Sequence, residues 1–303
     1  MFFKKLWLKL TNSNEFRAQK FLQIREKAKN EFKIKFEKQI ELIHKKITTQ
    51  KKLNFLHSGH AADIVNLLPV IKKLSLDHEC NLFININKPL KYYYKHPAEG
   101  VFVNEKIFNM LKPLLDNQNY LNKVEIYKTQ PIDIRLDMYR DMPINQLFDN
   151  ITYASISTGV QPDYSEPFLD AEHHPQITNK VIIQRTFRYR NDFINYNFLN
   201  DHKDLFFVGT KDEFLDLKKE VNNLNFYDCK NFLDMASAIK SSKLVIANSS
   251  IAFPIAEGLN KPRLLEACPY FPAAQPHGSN AYNFYFQPHF ESLFNKLMRF
   301  DSK

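Results

Sequence analysis

Residues 57–63, HSGHAAD, place His57, Ser58, Gly59 and His60 just ahead of Asp63, where an apolar run gives way to a helical pattern. A carboxylate at such a junction can take a proton from a hydroxyl, and a glycine there permits a tight turn or the close approach of a ligand. Asp63 could equally do no more than complement the helix dipole. His57, His60 and Asp63 are spaced i, i+3, i+6 across a strand-to-helix turn, which matches no tetrahedral pattern, so no metal is expected.

Two further stretches could meet an anion. RTFRYRN, residues 185–191, concentrates Arg185, Arg188 and Arg190, whose planar guanidinium groups suit diphosphate oxygens, although a solvated basic loop would read the same. Gly209 and Thr210, where DLFFVG ends, are grouped with this side. ANSSIAFPIAEG, residues 247–258, carries Asn248, Ser249 and Ser250 after an apolar strand. One cap explains one such residue, and a run of three points to an anion or sugar hydroxyls as well. Glu257, beside Gly258, is either a surface carboxylate or a ribose acceptor. No Walker loop, G-x-G-x-x-G fingerprint or G-x-S-x-G elbow is present, which counts against NTPase, dehydrogenase and hydrolase chemistry.

The elements that must position these residues alternate. LNFLH, NLFINI, VEIYK and IDIRL read as strands, with ADIVNLLPVIKKL as a helix that Pro69 can kink. After the polar, Pro-punctuated stretch 151–176, the strands KVIIQRT, DLFFVG, LNFYD, KLVIA and RLLEA are interleaved with the helices KDEFLDLKKEV, NFLDMASAIKSS and SIAFPIAEG. Strand-helix alternation of this length implies right-handed crossovers and parallel sheets. The expected class is α/β, with two Rossmann-like parallel-sheet domains facing a cleft and an N-terminal helical arm. The expected boundaries are 1–52 for the arm, 53–175 for the first domain with its connection, and 176–303 for the second.

Composition agrees. A chain of 303 residues with 44% hydrophobic residues and 27 Phe can bury two cores, and three well-separated cysteines suggest neither disulfides nor zinc, as in a reducing cytoplasm. The net charge of +9 is uneven. Residues 1–52 hold 15 Lys/Arg against 5 Asp/Glu, leaving 27 basic and 28 acidic residues elsewhere. A basic arm on a neutral body argues against nucleic acid and for a solvated or surface-seeking segment. Between residues 14 and 49 apolar residues from Phe21 to Ile47 form one stripe of a long helix, which would also suit self-association. MFFKKLWLKL is too broken by lysine to span a membrane, and no signal peptide is evident; it can rest on an anionic surface or dock on its own protein.

SGHAADIVNLLPVIKKL resembles the opening strand-loop-helix of the GT-B glycosyltransferases related to ADP-heptose:lipopolysaccharide heptosyltransferases. The aspartate of that pattern falls on Asp63 and its Leu-Pro on Leu68 and Pro69, with Ala62 where the family has glycine. FLDMASAIKSSKLVIANSSIAFPIAEGLNKP is similar to the family's donor-side element. Ser249, Ser250, Ile251 and Pro254 stand where the family has aspartate, Ser/Thr, glycine and histidine, so only Ser250 keeps the type.

The resemblance implies a GT-B fold whose N-terminal domain takes the acceptor and whose C-terminal domain takes the nucleotide sugar, with no metal and no cofactor. It implies Asp63 as general base in an inverting transfer to a glycan or lipid-linked acceptor at the cytoplasmic face of a membrane. The alternatives are a non-catalytic binding or assembly protein of the same fold, and a sugar-nucleotide epimerase.

Overall fold

Strands VIIQ, LVIA and RLLE are apolar on both faces, as strands must be when helices cover a sheet on either side. The computed structural model describes residues 7, 9–92 and 96–299, and shows these strands fully buried. Most of MFFKKLWLKL lies outside the described residues.

The first sheet joins β1 (Lys52–His57), β2 (Glu79–Ile84), β3 (Lys123–Ile126) and β4 (Ile134–Arg135) in the order β3-β2-β1-β4. Every pairing is parallel, with Leu53 opposite Cys80 and Phe55 opposite both Leu82 and Ile134. The second sheet joins β5 (Val181–Gln184), β6 (Leu205–Val208), β7 (Asn225–Tyr227), β8 (Leu244–Ala247), β9 (Arg263–Glu266) and β10 (Ala281–Phe284) in the order β10-β9-β8-β5-β6-β7, again all parallel. Chain order reverses at β1 in one sheet and at β5 in the other. In open α/β sheets the crevice beyond the strand ends at that reversal is where ligands bind. The loops after β1, β5 and β8 are the three stretches singled out from the sequence.

ADIVNLLPVIKKL forms two helices, α3 (Ala61–Asn66) and α4 (Leu68–Leu74), because Pro69 has no N–H to continue the first and fits instead at the start of the second. The polar connection begins with a short helix, α6 (Tyr153–Thr158), stopped by Gly159 at φ 70°. It then crosses to the second domain, where the N–H groups of Phe168 and Leu169 donate to the carbonyl of Gly258. Helix α5 (Glu105–Asp116) packs on α8 (Phe232–Ser241), and α3 packs on α9 (Ala252–Gly258), so one apolar core runs from the first domain into the second. Between α5 and α8 in chain order lies α7 (Lys211–Leu217). Neither β10 nor α10 (Gln287–Met298) is expected from the local patterns; α10 closes a second core through Phe290, Phe294 and Leu297.

The expected single long helix before β1 is two helices. In α1 (Ser13–Lys35) no residue is buried, whereas α2 (Glu37–Thr49) buries Ile43. At the junction Phe36 has a widened φ of −117° while the backbone bonds to Phe32 and from Ile40 continue, and its ring enters the core. Phe36 and Ile43 thus pack into the core that the first domain shares, while α1 contributes no buried residue to it.

Candidate active site in the interdomain cleft

Between the two domains lies a cleft of about 500 Å³, walled on the first domain by residues of α3, the loop after β2 and the turn after β4, and on the second by the loops after β5, β8 and β9. Asp63 lines it from the first turn of α3. Its Oδ2 accepts the His60 N–H at 3.0 Å, which caps the helix, and the Arg140 Nη2–H at 2.6 Å. Burial opposes ionisation of this carboxyl, but Arg140, His60, His57 and Arg188 outweigh it and hold its pKa below the usual carboxylate range. The side chain is 20% exposed and is ionised at neutral pH, so it can accept a proton.

Arg140 is held in turn. Its guanidinium lies over Phe102 at 5.1 Å and over Tyr139 at 5.3 Å, and Tyr139 stacks on Tyr153 at 4.2 Å. Nothing in the residue spacing pairs positions 63 and 140. The only signal was that Arg140 follows the strand IDIRL, where α/β loops carry ligand groups.

Residues 57–60 divide between cleft and core. His60 faces the cleft beside Tyr92 and Phe102, and burial brings its pKa to about 4, so it is neutral. His57 is fully buried; its Nδ1 accepts the Gly59 N–H at 3.0 Å, so its proton is on Nε2, and burial brings its pKa to about 4 as well. Ser58 is buried and donates to Asp137. His57 and Ser58 therefore support the loop from beneath instead of meeting an acceptor. Gly59 is needed for a different reason than expected. A Cβ there would stand 2.6 Å from His57 Cε1, 2.7 Å from Arg140 Nη2 and 2.9 Å from Asp63 Oδ2, so the close approach is made by the protein's own ion pair.

The donor-side expectations are corrected more widely. Arg185 is 4% exposed, with Nε and Nη2 on the two oxygens of Glu266 at 2.8 and 3.1 Å and Nη1 3.3 Å from Glu220. It is a core ion pair, away from the cleft. Gly209, at φ 141°, and Thr210 form the entry to α7, where Thr210 and Glu213 cap the helix reciprocally; neither lines the cleft.

Asn248 is fully buried and bonds the 186–188 backbone. Glu257 reaches the cleft wall, but its carboxylate accepts from Arg263 Nε and from the His277 N–H, so it is neither a surface group nor open to ribose. The N–H of Ala252 is taken by Gln184 Oε1 at 2.8 Å and that of Ser250 by the Asn248 carbonyl at 2.6 Å, which leaves less of the helix start for an anion than the sequence implied. Arg188, Ser249 and Ser250 do line the cleft. Arg188 Nη1 lies 3.4 Å from His60 Nε2, so the two walls meet there. His57, His60 and Asp63 do not converge on one point, and among the described residues no group of His, Cys, Asp or Glu is arranged to hold a metal ion.

The strap 268–280, unremarked in the sequence, spans the walls. Its Ala273 carbonyl accepts the Asn150 N–H at 2.7 Å, and His277 Nε2 lies 2.5 Å from Asp149 Oδ2. The bond to Asp149 raises the His277 pKa against burial, with Glu257 adding to the rise and Arg263 opposing it; the Tyr164 ring packs 5.4 Å away. A raised folded-state value contributes stability that is fully present below the unfolded value near 6.5 and is lost as pH climbs through the folded one. The stability difference between wild type and His277→Gln is therefore expected to be widest near pH 6 and to close toward pH 9. Denaturant titrations giving a pH-independent gap would show that the contact is not ionic.

Among solved structures, the chain is similar to a family 9 glycosyl transferase from Veillonella parvula DSM 2008, with a TM-score of 0.53 and 10% identity over 84% of this chain and 91% of that one. It is also similar to the dodecameric iron-containing glycosyltransferase TibC of enterotoxigenic E. coli H10407, with a TM-score of 0.52 and 12% identity over 82% and 76%. The heptosyltransferase TibC in complex with ADP-D-beta-D-heptose gives a TM-score of 0.55 and 11% identity over 82% and 77%. At such identities the likeness is one of fold: two parallel-sheet domains facing a cleft, the GT-B arrangement expected from the sequence. No protein-family model and no curated protein matches the sequence.

Proposed function

We propose that this chain is an inverting glycosyltransferase that moves a sugar from a nucleotide-sugar donor to a hydroxyl of a glycan or lipid-linked acceptor. The observation that carries the proposal is the cleft itself: an ionised carboxylate from one domain, Asp63, faces a cation and a hydroxyl from the other, Arg188 and Ser249. In the transfer, Asp63 takes the proton of the acceptor hydroxyl as its oxygen bonds to the anomeric carbon. The bond from that carbon to the donor's diphosphate breaks, and the diphosphate leaves with the electron pair. Arg188 offsets its growing negative charge, the task that fixed cations perform best in a water-poor site. No step is assigned to a metal, so transfer is expected to persist in EDTA.

The test is a panel of nucleotide sugars with and without candidate acceptors, followed by release of the free nucleotide diphosphate. Release that requires acceptor supports transfer. Tight nucleotide binding with no release would favour the same cleft used for recognition only, a reading that the tight Asp63–Arg140 pair also suits. Interconversion of free sugar nucleotides would point to an epimerase.

The lipid-linked form of the acceptor draws on the N-terminal helix. Phe21, Leu22, Ile24 and Ile34 of α1 are exposed beside seven basic residues, and among the described residues no helix is long and apolar enough to cross a membrane. We place α1 against an anionic membrane at its cytoplasmic face, where basic and apolar side chains act together. A chain beginning at Phe36 is expected to stay folded but to lose salt-sensitive binding to phosphatidylglycerol vesicles. A chain beginning at Lys51 is expected to aggregate, because Phe36 and Ile43 leave the core. Undiminished vesicle binding by the shorter deletion would remove the membrane role. A change of oligomeric state instead would assign α1 to self-association.

A further inference from the structure

The three arginines after β5 have three fates. Arg185 is committed to Glu266, and Arg190 to Asp216 at 2.6 Å and to the Thr186 carbonyl at 3.0 Å. Arg188 lines the cleft. What sets it apart is the backbone around it. Asn248 Oδ1 accepts the Thr186 N–H at 3.1 Å, while Nδ2 donates to the carbonyls of Thr186 at 3.0 Å and Arg188 at 2.7 Å. The turn so clamped leaves Tyr189 at φ 61°, a left-handed conformation that a bulky residue keeps only where its surroundings impose it. The Tyr189 ring stacks on Phe271 at 4.7 Å, and the Arg188 guanidinium lies 4.5 Å from the same ring.

We infer that Asn248 and Tyr189 are positioning residues that present Arg188 to the cleft: the amide clamps the turn, and the ring gives the guanidinium a surface to lie on. That Arg188 then meets the donor's diphosphate rests on the function proposed above; its placement does not. A cation–aromatic contact of this geometry restricts a side chain that would otherwise sample many rotamers. Tyr189 is thus retained at a strained position for what its ring holds, and Asn248, which the sequence suggested as a donor contact, acts through the turn.

His60 gives a readout that needs no ligand, because the Arg188 cation beside it is among the groups depressing its titration. Full-length protein with ¹³C-labelled histidine would be titrated by NMR as wild type and as Arg188→Ala, Tyr189→Gly, Tyr189→Phe and Asn248→Asp. Glycine relieves the left-handed strain while removing the ring, so Tyr189→Gly is expected to melt no lower than wild type. It should nevertheless raise the His60 pKa as Arg188→Ala does, by about 0.7 pH unit, the effect of a water-screened charge near 4 Å. Tyr189→Phe should titrate as wild type does. Asn248→Asp, whose carboxylate would oppose two carbonyl oxygens, should follow Tyr189→Gly.

A wild-type His60 titration in Tyr189→Gly, alongside a raised one in Arg188→Ala, would overturn the positioning role. A wild-type titration in Arg188→Ala would overturn the placement of Arg188 itself. Calorimetry with ADP and UDP separates the donor question. Weakening of about tenfold in both Arg188→Ala and Tyr189→Gly supports the whole chain of inference. Unchanged nucleotide affinity with a shifted His60 removes the diphosphate role and leaves the positioning intact.

Discussion

Asp63→Asn is expected to lower sugar transfer by about 10²-fold or more, the usual scale for loss of a general base. The amide is isosteric and can still accept the His60 N–H, so α3 keeps its cap. It cannot take the acceptor's proton. The pair with Arg140 complicates the outcome, since the variant leaves a guanidinium of 22% exposure with a neutral partner at the 2.6 Å contact. A stability loss of about 1–3 kcal/mol is expected from that mismatch.

Activity should therefore be measured at a temperature where circular dichroism shows the variant folded. In wild type the acid limb of the pH–rate profile should lie below the ordinary Asp value near 3.9, because Arg140 and its neighbours hold the ionised form. Turnover within a few-fold of wild type in folded Asp63→Asn would eliminate Asp63 as the base.

Arg185→Ala should act on the fold and leave the cleft alone. Glu266 is fully buried, and besides Arg185 it accepts the Tyr196 O–H at 2.8 Å and the Asn191 N–H at 2.6 Å. Removing the guanidinium strands a carboxylate among apolar strands. Loss of one partner of a buried ion pair typically destabilises by about 3–5 kcal/mol. The sequence alone predicts a different outcome, weakened nucleotide-sugar binding, because Arg185 reads as a group suited to diphosphate oxygens. Chemical denaturation should show a large fall in midpoint for Arg185→Ala and little for Arg188→Ala, while nucleotide affinity at low temperature should fall for Arg188→Ala only. Weakened nucleotide binding by a stable Arg185→Ala chain would return Arg185 to the donor site.

The two arginines show why part of the site was legible and part was not. Both follow an apolar strand in a loop that reads as basic, and local sequence carries no mark of which guanidinium turns inward. Burial of Arg185 depends on Glu266, 81 residues away on a strand two places along the sheet. In the same way Glu257 looked like a carboxylate at a helix end until β9 brought Arg263 against it. Arg140 carries no local mark, because its partner, Asp63, is 77 residues distant. Asn248 stands in a hydroxyl-rich run, but its amide is used up on a turn 60 residues away.

Local patterns determined the strands of both sheets except β10, the two-domain organisation, the cleft end of the sheets, and the placing of Asp63, His60, Arg188, Ser249 and Ser250 there. Those follow from apolar runs, helix periodicity and Gly or Pro punctuation, all of which act within about ten residues of chain. The tertiary structure alone decided which charges are buried against one another and which line the cleft. The physical reason is that a buried charge must be paired, and its partner is set by strand order and register, quantities that no short stretch of this chain encodes.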